Sequence, residues 1–151
     1  MQADGNVKVE FHSGAADPLA HACRLLRKAN AAGARVVVHA PHATLQRLDQ
    51  ALWSFDALSF VPHMRLRAGE LPAAIQARTP VWLVDDVASV SDRQVLVNLG
   101  ESMVDGWQAF DRVIEIVSAD EQASKAARRR WRRYADEPGI ELIHHPVGTA
   151  A

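Results

Sequence analysis

The sequence predicts an α/β sandwich, a three-layer domain in which one mostly parallel or mixed sheet carries helices on both sides. Three observations predict it. Continuous β-branched or apolar runs such as Ala34–His39 and Val81–Val84 read as strands buried on both faces. Segments with apolar residues at three- and four-residue steps alternate with these runs. At 151 residues, 48% hydrophobic and 23% charged, the chain has the size and composition of one globular domain over 1–151, with a frayed end at about 146–151.

Val7–Phe11 fits a first strand. Asp17 then suits an N-cap and Pro18 the first helical position. Leu19, Ala22, Cys23, Leu26 and Ala29 mark an amphipathic helix that closes at Gly33. With Ala34–His39 this makes a right-handed crossover between parallel strands. Pro41–Trp53 reads as a second helix, with Leu45, Leu48, Leu52 and Trp53 on its apolar side. Residues 54–63 are short and apolar, and Pro62 fixes their exit. Residues 64–79 hold Gly69 and Pro72, show no strong period, and read as a loop with room for one helical turn. Val81–Val84, Val95–Leu99 and Arg112–Val117 fit strands, and Met103–Phe110 a short helix. A helix from about 120 to 135 follows, then a turn at Glu137-Pro138-Gly139 and a last strand at Ile140–His144.

The helix at 120–135 is the unusual one. Lys125-Ala126-Ala127-Arg128-Arg129-Arg130-Trp131-Arg132-Arg133-Tyr134 concentrates six of the seventeen basic residues. The net charge is −1, so the rest of the chain carries −7. Such local positive charge favours a discrete docking site over broad phosphate binding. Helical spacing sets Arg128 and Arg132 beside Trp131, and two cations flanking an aromatic ring suit an acidic partner with an apolar group. The plainer alternative is a solvated charged face, with Trp131 or Tyr134 turned to the core.

Other chemistries lack support. The segment after the first strand, Phe-His-Ser-Gly-Ala-Ala-Asp-Pro, matches neither GxGxxG nor GxxxxGK[ST]. Val81–Val84 followed by Asp85 and Asp86 resembles a magnesium-positioning strand, but two acids after a buried strand more often serve turns and caps. Seven histidines include no HExxH pair, and His144 and His145 alternate faces in a strand, so no metal site is expected. Cys23 is the one cysteine and reads as a small core residue. With neither a signal-peptide pattern nor an apolar run near 18–20 residues, a cytoplasmic protein without membrane association is expected. No catalytic residue or cofactor is indicated.

Leu48-Asp49-Gln50-Ala51-Leu52-Trp53, followed by Ser59-Phe60-Val61-Pro62-His63, is similar to the signature of the chi subunit of bacterial DNA polymerase III. The resemblance extends to the first strand and helix, the apolar strand near position 114 and the basic helix, and is weakest over 64–94. It implies a mononucleotide-binding-like fold that has lost its phosphate loop, in a non-catalytic accessory of the clamp loader. It implies two partners: the psi subunit, and the acidic C-terminal tail of single-stranded-DNA-binding protein, with DNA met only indirectly. Carried over by position, the tail-binding residues are Val117, Lys125, Arg128, Trp131 and Arg132. Position 124, a cation in the family, is Ser here, and the charge sits at Lys125. The psi-binding residues are Trp53, Phe60 and Pro62, although aromatics in such places often belong to the core. A second functional reading is direct binding of single-stranded nucleic acid by the arginine-rich helix, with Trp131 stacking on a base. A third is a degenerate nucleotide-binding enzyme using Asp85 or Asp86.

Overall fold

Seven parallel strands frame the described residues: β1 (Val7–Ala15), β2 (Val36–His39), β3 (His63–Leu66), β4 (Val81–Val84), β5 (Val95–Asn98), β6 (Arg112–Ser118) and β7 (Ile140–Pro146). The computed structural model describes residues 6–54, 60–66 and 79–147. The strand order is β3-β4-β2-β5-β6-β1-β7, so β3 and β7 form the two edges. Every pairing is parallel. Among the described residues the helices are α1 (Pro18–Ala31), α2 (His42–Ser54) and α3 (Glu121–Ala135).

Parallel strands must be covered on both faces, and two apolar layers do this. One packs Ala22, Cys23 and Leu26 of α1 and Leu45, Leu48 and Leu52 of α2 against Val36, Val38, Leu83, Ile114 and Ile116. The other packs Ala127 and Tyr134 of α3, with Trp107 and Phe110, against Val9, Phe11, Trp82, Val113 and Val117. The result is the three-layer sandwich that the alternating pattern predicts. Cys23 is buried in the first layer, as expected of a small core residue, and burial raises its thiol pKa.

Both cap predictions for α1 hold: Asp17 accepts a hydrogen bond from the Ala20 amide at 3.1 Å, and Pro18 opens the helix. The helix ends at Ala31, two residues short of Gly33. Asp120 caps α3 in the same way, accepting from the Ala123 amide at 3.0 Å.

The crossover from β1 to β2 links parallel strands that are not neighbours, because β5 and β6 lie between them. Three details differ from expectation. His63–Leu66 forms strand β3, paired among the described residues to β4 alone, where the sequence suggested that a loop begins. Its first three residues are only half-buried, which erases the apolar signal. The loop expected over 67–78 lies outside the described residues. The helix expected at Met103–Phe110 is reduced to one 3-10 turn, Trp107–Ala109, because Gly106 takes a left-handed conformation with φ +89° that an α-helix cannot continue through. β7 runs on through Pro146, further than its apolar residues reach, because its backbone stays in register with β1 to Ser13.

Candidate functional site

A pocket of about 480 Å³ opens between the N-terminal half of α3 and the C-terminal ends of β1, β6 and β7. Phe11 and Val117 form its floor, Ser124, Ala127, Arg128 and Trp131 its helical wall, and Ser13, Gly14 and His144 its remaining lining. Strand register explains the floor. Phe11 and Val117 occupy the same sheet face because side chains repeat every second residue, and His144 lies beside Phe11 on β7. Gly14, at φ +75°, lies in an irregularity of β1 between His12 and Ala15, and no side chain fills the space beside it.

Trp131 is half-buried. Its ring meets Phe11 edge-on at 5.2 Å and His144 at 6.2 Å. The pocket therefore has aromatic walls and a guanidinium from exposed Arg128 at its rim. Among the described residues no carboxylate pairs with Arg128. A planar cation beside an apolar cavity can grip a carboxylate through paired N–H groups while the cavity takes an attached apolar side chain.

The structure brings together Val117, Arg128 and Trp131 and leaves two other expected residues outside the lining. Lys125 is exposed and pairs with Glu121 at 3.5 Å, a contact between neighbouring helical turns. Arg132 is exposed on the next turn and is not part of the lining. The shift of the cation from position 124 to 125 thus moves it off the pocket face, and Ser124 lines the pocket in its place.

Arg130 belongs to the basic run but not to its exposed face. It is 5% exposed and points into the core. Its Nε donates to Glu115 Oε1 at 3.0 Å, and its Nη1 donates to the Glu101 carbonyl. The Tyr134 hydroxyl donates to Glu115 Oε2 at 2.8 Å, and Asn98 Nδ2 donates to Oε1 at 3.0 Å. Burial raises the Glu115 carboxyl pKa, opposed by Arg130 and by the hydroxyl and amide donors. Burial and the facing carboxylate raise Tyr134 strongly, so its hydroxyl stays protonated as a donor. The signal was present: Ala127, Arg130 and Tyr134 follow helical spacing and mark a core-facing stripe.

A second feature lies at the opposite sheet edge. Trp53, at the end of α2, is 65% exposed, and Phe60 is 44% exposed. Their rings lie 4.8 Å apart at an interplanar angle of 32°. His63 sits 5.6 Å from each ring and is fixed by hydrogen bonds to Asp49 Oδ1 (2.8 Å) and the Val61 carbonyl (2.7 Å). Pro62 is exposed beside them. The core alternative for these aromatics is therefore wrong: they form a braced, outward-facing apolar patch. The sequence offered no role for His63, which supplies the brace.

The groups a nucleotide site would require are otherwise engaged. Asp17 places a carboxylate at the α1 N-terminus, where a phosphate would otherwise be held. Asp86 caps a 3-10 turn by accepting from the Ala88 amide, and Asp85 lies 3.8 Å from Arg65. Among the described residues no helix is long and apolar enough to cross a membrane.

The architecture defines a parallel α/β domain of the same class as the C-terminal domain of the DEAD-box protein Dbp5. The two are 14% identical, with a TM-score of 0.61 over 96% of this chain and 92% of that one. A second Dbp5 C-terminal domain from S. cerevisiae, solved with Gle1 and IP6, gives 0.56 at 13% identity, over 94% and 90% of the two chains. At such identity the likeness is one of fold alone. The model of the family described as DNA polymerase III chi subunit, HolC, matches residues 7–142, and the chain belongs to that family. It is similar to DNA polymerase III subunit chi of Pseudomonas aeruginosa, 34% identical over 91% of this chain and 95% of the relative. The Escherichia coli K12 subunit is 36% identical over 58% of this chain and 57% of that protein, and the Haemophilus influenzae one 29% over 74% and 76%. Membership makes this a subunit of DNA polymerase III with a role in DNA replication.

Proposed function

We propose that the chain is a non-catalytic adaptor of the replisome. It joins the clamp loader, through psi, to the acidic C-terminal tail of single-stranded-DNA-binding protein, and works in the cytoplasm without contacting DNA itself. The observation that carries this reading is the pocket between α3 and the sheet. Phe11, Val117 and Trp131 offer an apolar socket for a terminal aromatic residue, and Arg128 stands at its rim for the adjoining carboxylates. The braced Trp53–Phe60 patch supports psi docking, since exposed aromatics held rigidly are the anchors of protein interfaces. The commitment of Asp17, Asp85 and Asp86 to caps and an ion pair supports the absence of a nucleotide-hydrolysing site.

Calorimetric titration with an acidic peptide ending Asp-Ile-Pro-Phe, beside the same peptide lacking its last Phe, tests the tail assignment. Micromolar binding of the intact peptide alone, about −8 kcal/mol, is expected. Equal binding of both peptides reduces α3 to a generic anion surface. Salt-sensitive binding of single-stranded oligonucleotide with no peptide binding favours the nucleic-acid reading instead.

A further inference from the structure

On the α1 side of the β1–β7 edge, opposite the aromatic pocket, three side chains converge that the proposed adaptor role does not use. β1 sends Glu10 and His12 to this side, and β7 runs in register with it, so that His145 lies beside His12. His145 Nε2 is 3.2 Å from Glu10 Oε1, and His12 Nε2 is 3.9 Å from the same oxygen. One donor atom from each of the three residues lies within 4.8 Å of the other two. They border a cavity of about 360 Å³.

We propose that Glu10, His12 and His145 form a binding site for a divalent transition-metal ion of the zinc type. Two imidazole nitrogens and one carboxylate oxygen are a donor set that zinc accepts, and they leave a further position open to the cavity. Ligands of a tetrahedral zinc ion lie roughly 3.3 Å apart for bonds of about 2.0 Å. The separations from Glu10 Oε1 are 3.2 and 3.9 Å, and the three donor atoms lie within 4.8 Å of one another, so ring rotations that draw the two histidines inward complete the set.

The surroundings hold the donors in place. His12 Nδ1 is 2.9 Å from His21 Nε2, a side chain of α1, so the outer nitrogen of His12 is engaged and Nε2 faces Glu10. Arg112 donates to both Glu10 oxygens, through Nη2 to Oε1 at 3.1 Å and through Nε to Oε2. This anchors the carboxylate while Oε1 keeps a lone pair toward the histidines. Such outer contacts orient ligands in metal sites generally. Magnesium and calcium, which require mostly oxygen donors, do not suit the site.

The sequence, from which no metal site is expected, hides this arrangement because only strand register brings His12 and His145 together from distant parts of the chain. His144 and His145 do point to opposite faces, as strand alternation requires: His144 enters the Trp131 pocket, and His145 joins His12 across the strand pair.

The test is calorimetric titration of zinc into the tag-free 151-residue chain after removal of metal with a chelator. One zinc per chain is expected. His12→Ala and His145→Ala should each weaken binding at least about tenfold. His42→Ala, at the start of α2 and outside the cluster, should bind as wild type. Melting curves in chelator establish that each variant folds, and the exposed His145 makes its variant the safest. Cobalt should give the intense visible absorption of a low-symmetry nitrogen–oxygen site, lost in His145→Ala. Absence of zinc binding by the wild type overturns the proposal and leaves a metal-free ion-pair cluster. Binding by His145→Ala at wild-type strength, or displacement of zinc by equimolar magnesium, overturns it as well.

Discussion

Arg130 Nε lies 3.0 Å from Glu115 Oε1, and both side chains are buried between α3 and β6. One arginine of the basic run is therefore a structural residue. Removing it leaves the buried Glu115 carboxyl without its guanidinium partner, a loss of about 3–5 kcal/mol. Arg130→Ala should lower the urea midpoint steeply or fail to fold. Arg128→Ala, at an exposed position, should change stability by less than about 0.5 kcal/mol. A wild-type midpoint for Arg130→Ala would show that the buried network does not hold α3 to the sheet.

The proposed tail pocket separates α3 residues that the sequence grouped together. Arg128→Ala should weaken peptide binding by about 1–3 kcal/mol. Trp131→Ala removes an aromatic wall and should cost at least about 2 kcal/mol. Lys125→Ala lies off the lining and should cost less than about 1 kcal/mol, vanishing at high salt. Titrations at two salt concentrations read all three, and a Lys125 effect as large as that of Arg128 would move the site along the helix.

Trp53 and Phe60 should be dispensable for folding and indispensable for psi. Because both are exposed, the double alanine variant should melt within a few degrees of wild type. Co-purification with psi should be lost. His63→Ala removes the brace at Asp49 and should weaken psi binding less than loss of the rings. Unaltered capture of psi by the double variant would exclude this patch as the docking surface.

Glu10 supplies an acid-side prediction for the metal-free protein. Burial raises its pKa, but the hydrogen bonds from His12 and Arg112 and the charges of Arg112 and Lys8 outweigh this and hold it at about 2, against 4.5 ordinarily. His145 also faces it from β7. The folded value is the depressed one, so the stabilisation is complete above about pH 4.5 and disappears as the pH falls toward 2. Its size is about 3 kcal/mol. Glu10→Gln should flatten the stability profile across that window in chelator-treated protein, and an unchanged acid slope would place the sensitivity elsewhere.

Much of the fold was legible because burial on both faces writes itself into sequence. Val36-Val37-Val38 and Val81–Val84 could be little else, and Asp17-Pro18 and Asp120 announced their helices. Edge strand β3 was illegible for the converse reason: His63, Met64 and Arg65 are half-exposed and have one neighbouring strand. At the pocket, the residues on α3 could be approached through helical spacing. Phe11 and His144 could not, since strand register brings them together from distant parts of the chain. Arg130 was not singled out, although its place in the stripe with Ala127 and Tyr134 marks it as core-facing.

The Trp53–Phe60 patch lies by β3, on the α2 side, near the start of that strand. The Arg128–Trp131 pocket lies by β1 and β7, on the α3 side, at the strand ends. Six inter-strand steps separate the two sheet edges, roughly 29 Å at about 4.8 Å per step. The two corners share no lining residue, so additive binding free energies are the expectation for ligands docked at both. The sheet then acts as a rigid spacer. Whatever holds one corner fixes the local concentration of the other corner's ligand, and the span of the sheet, rather than any conformational signal, sets the gain in avidity.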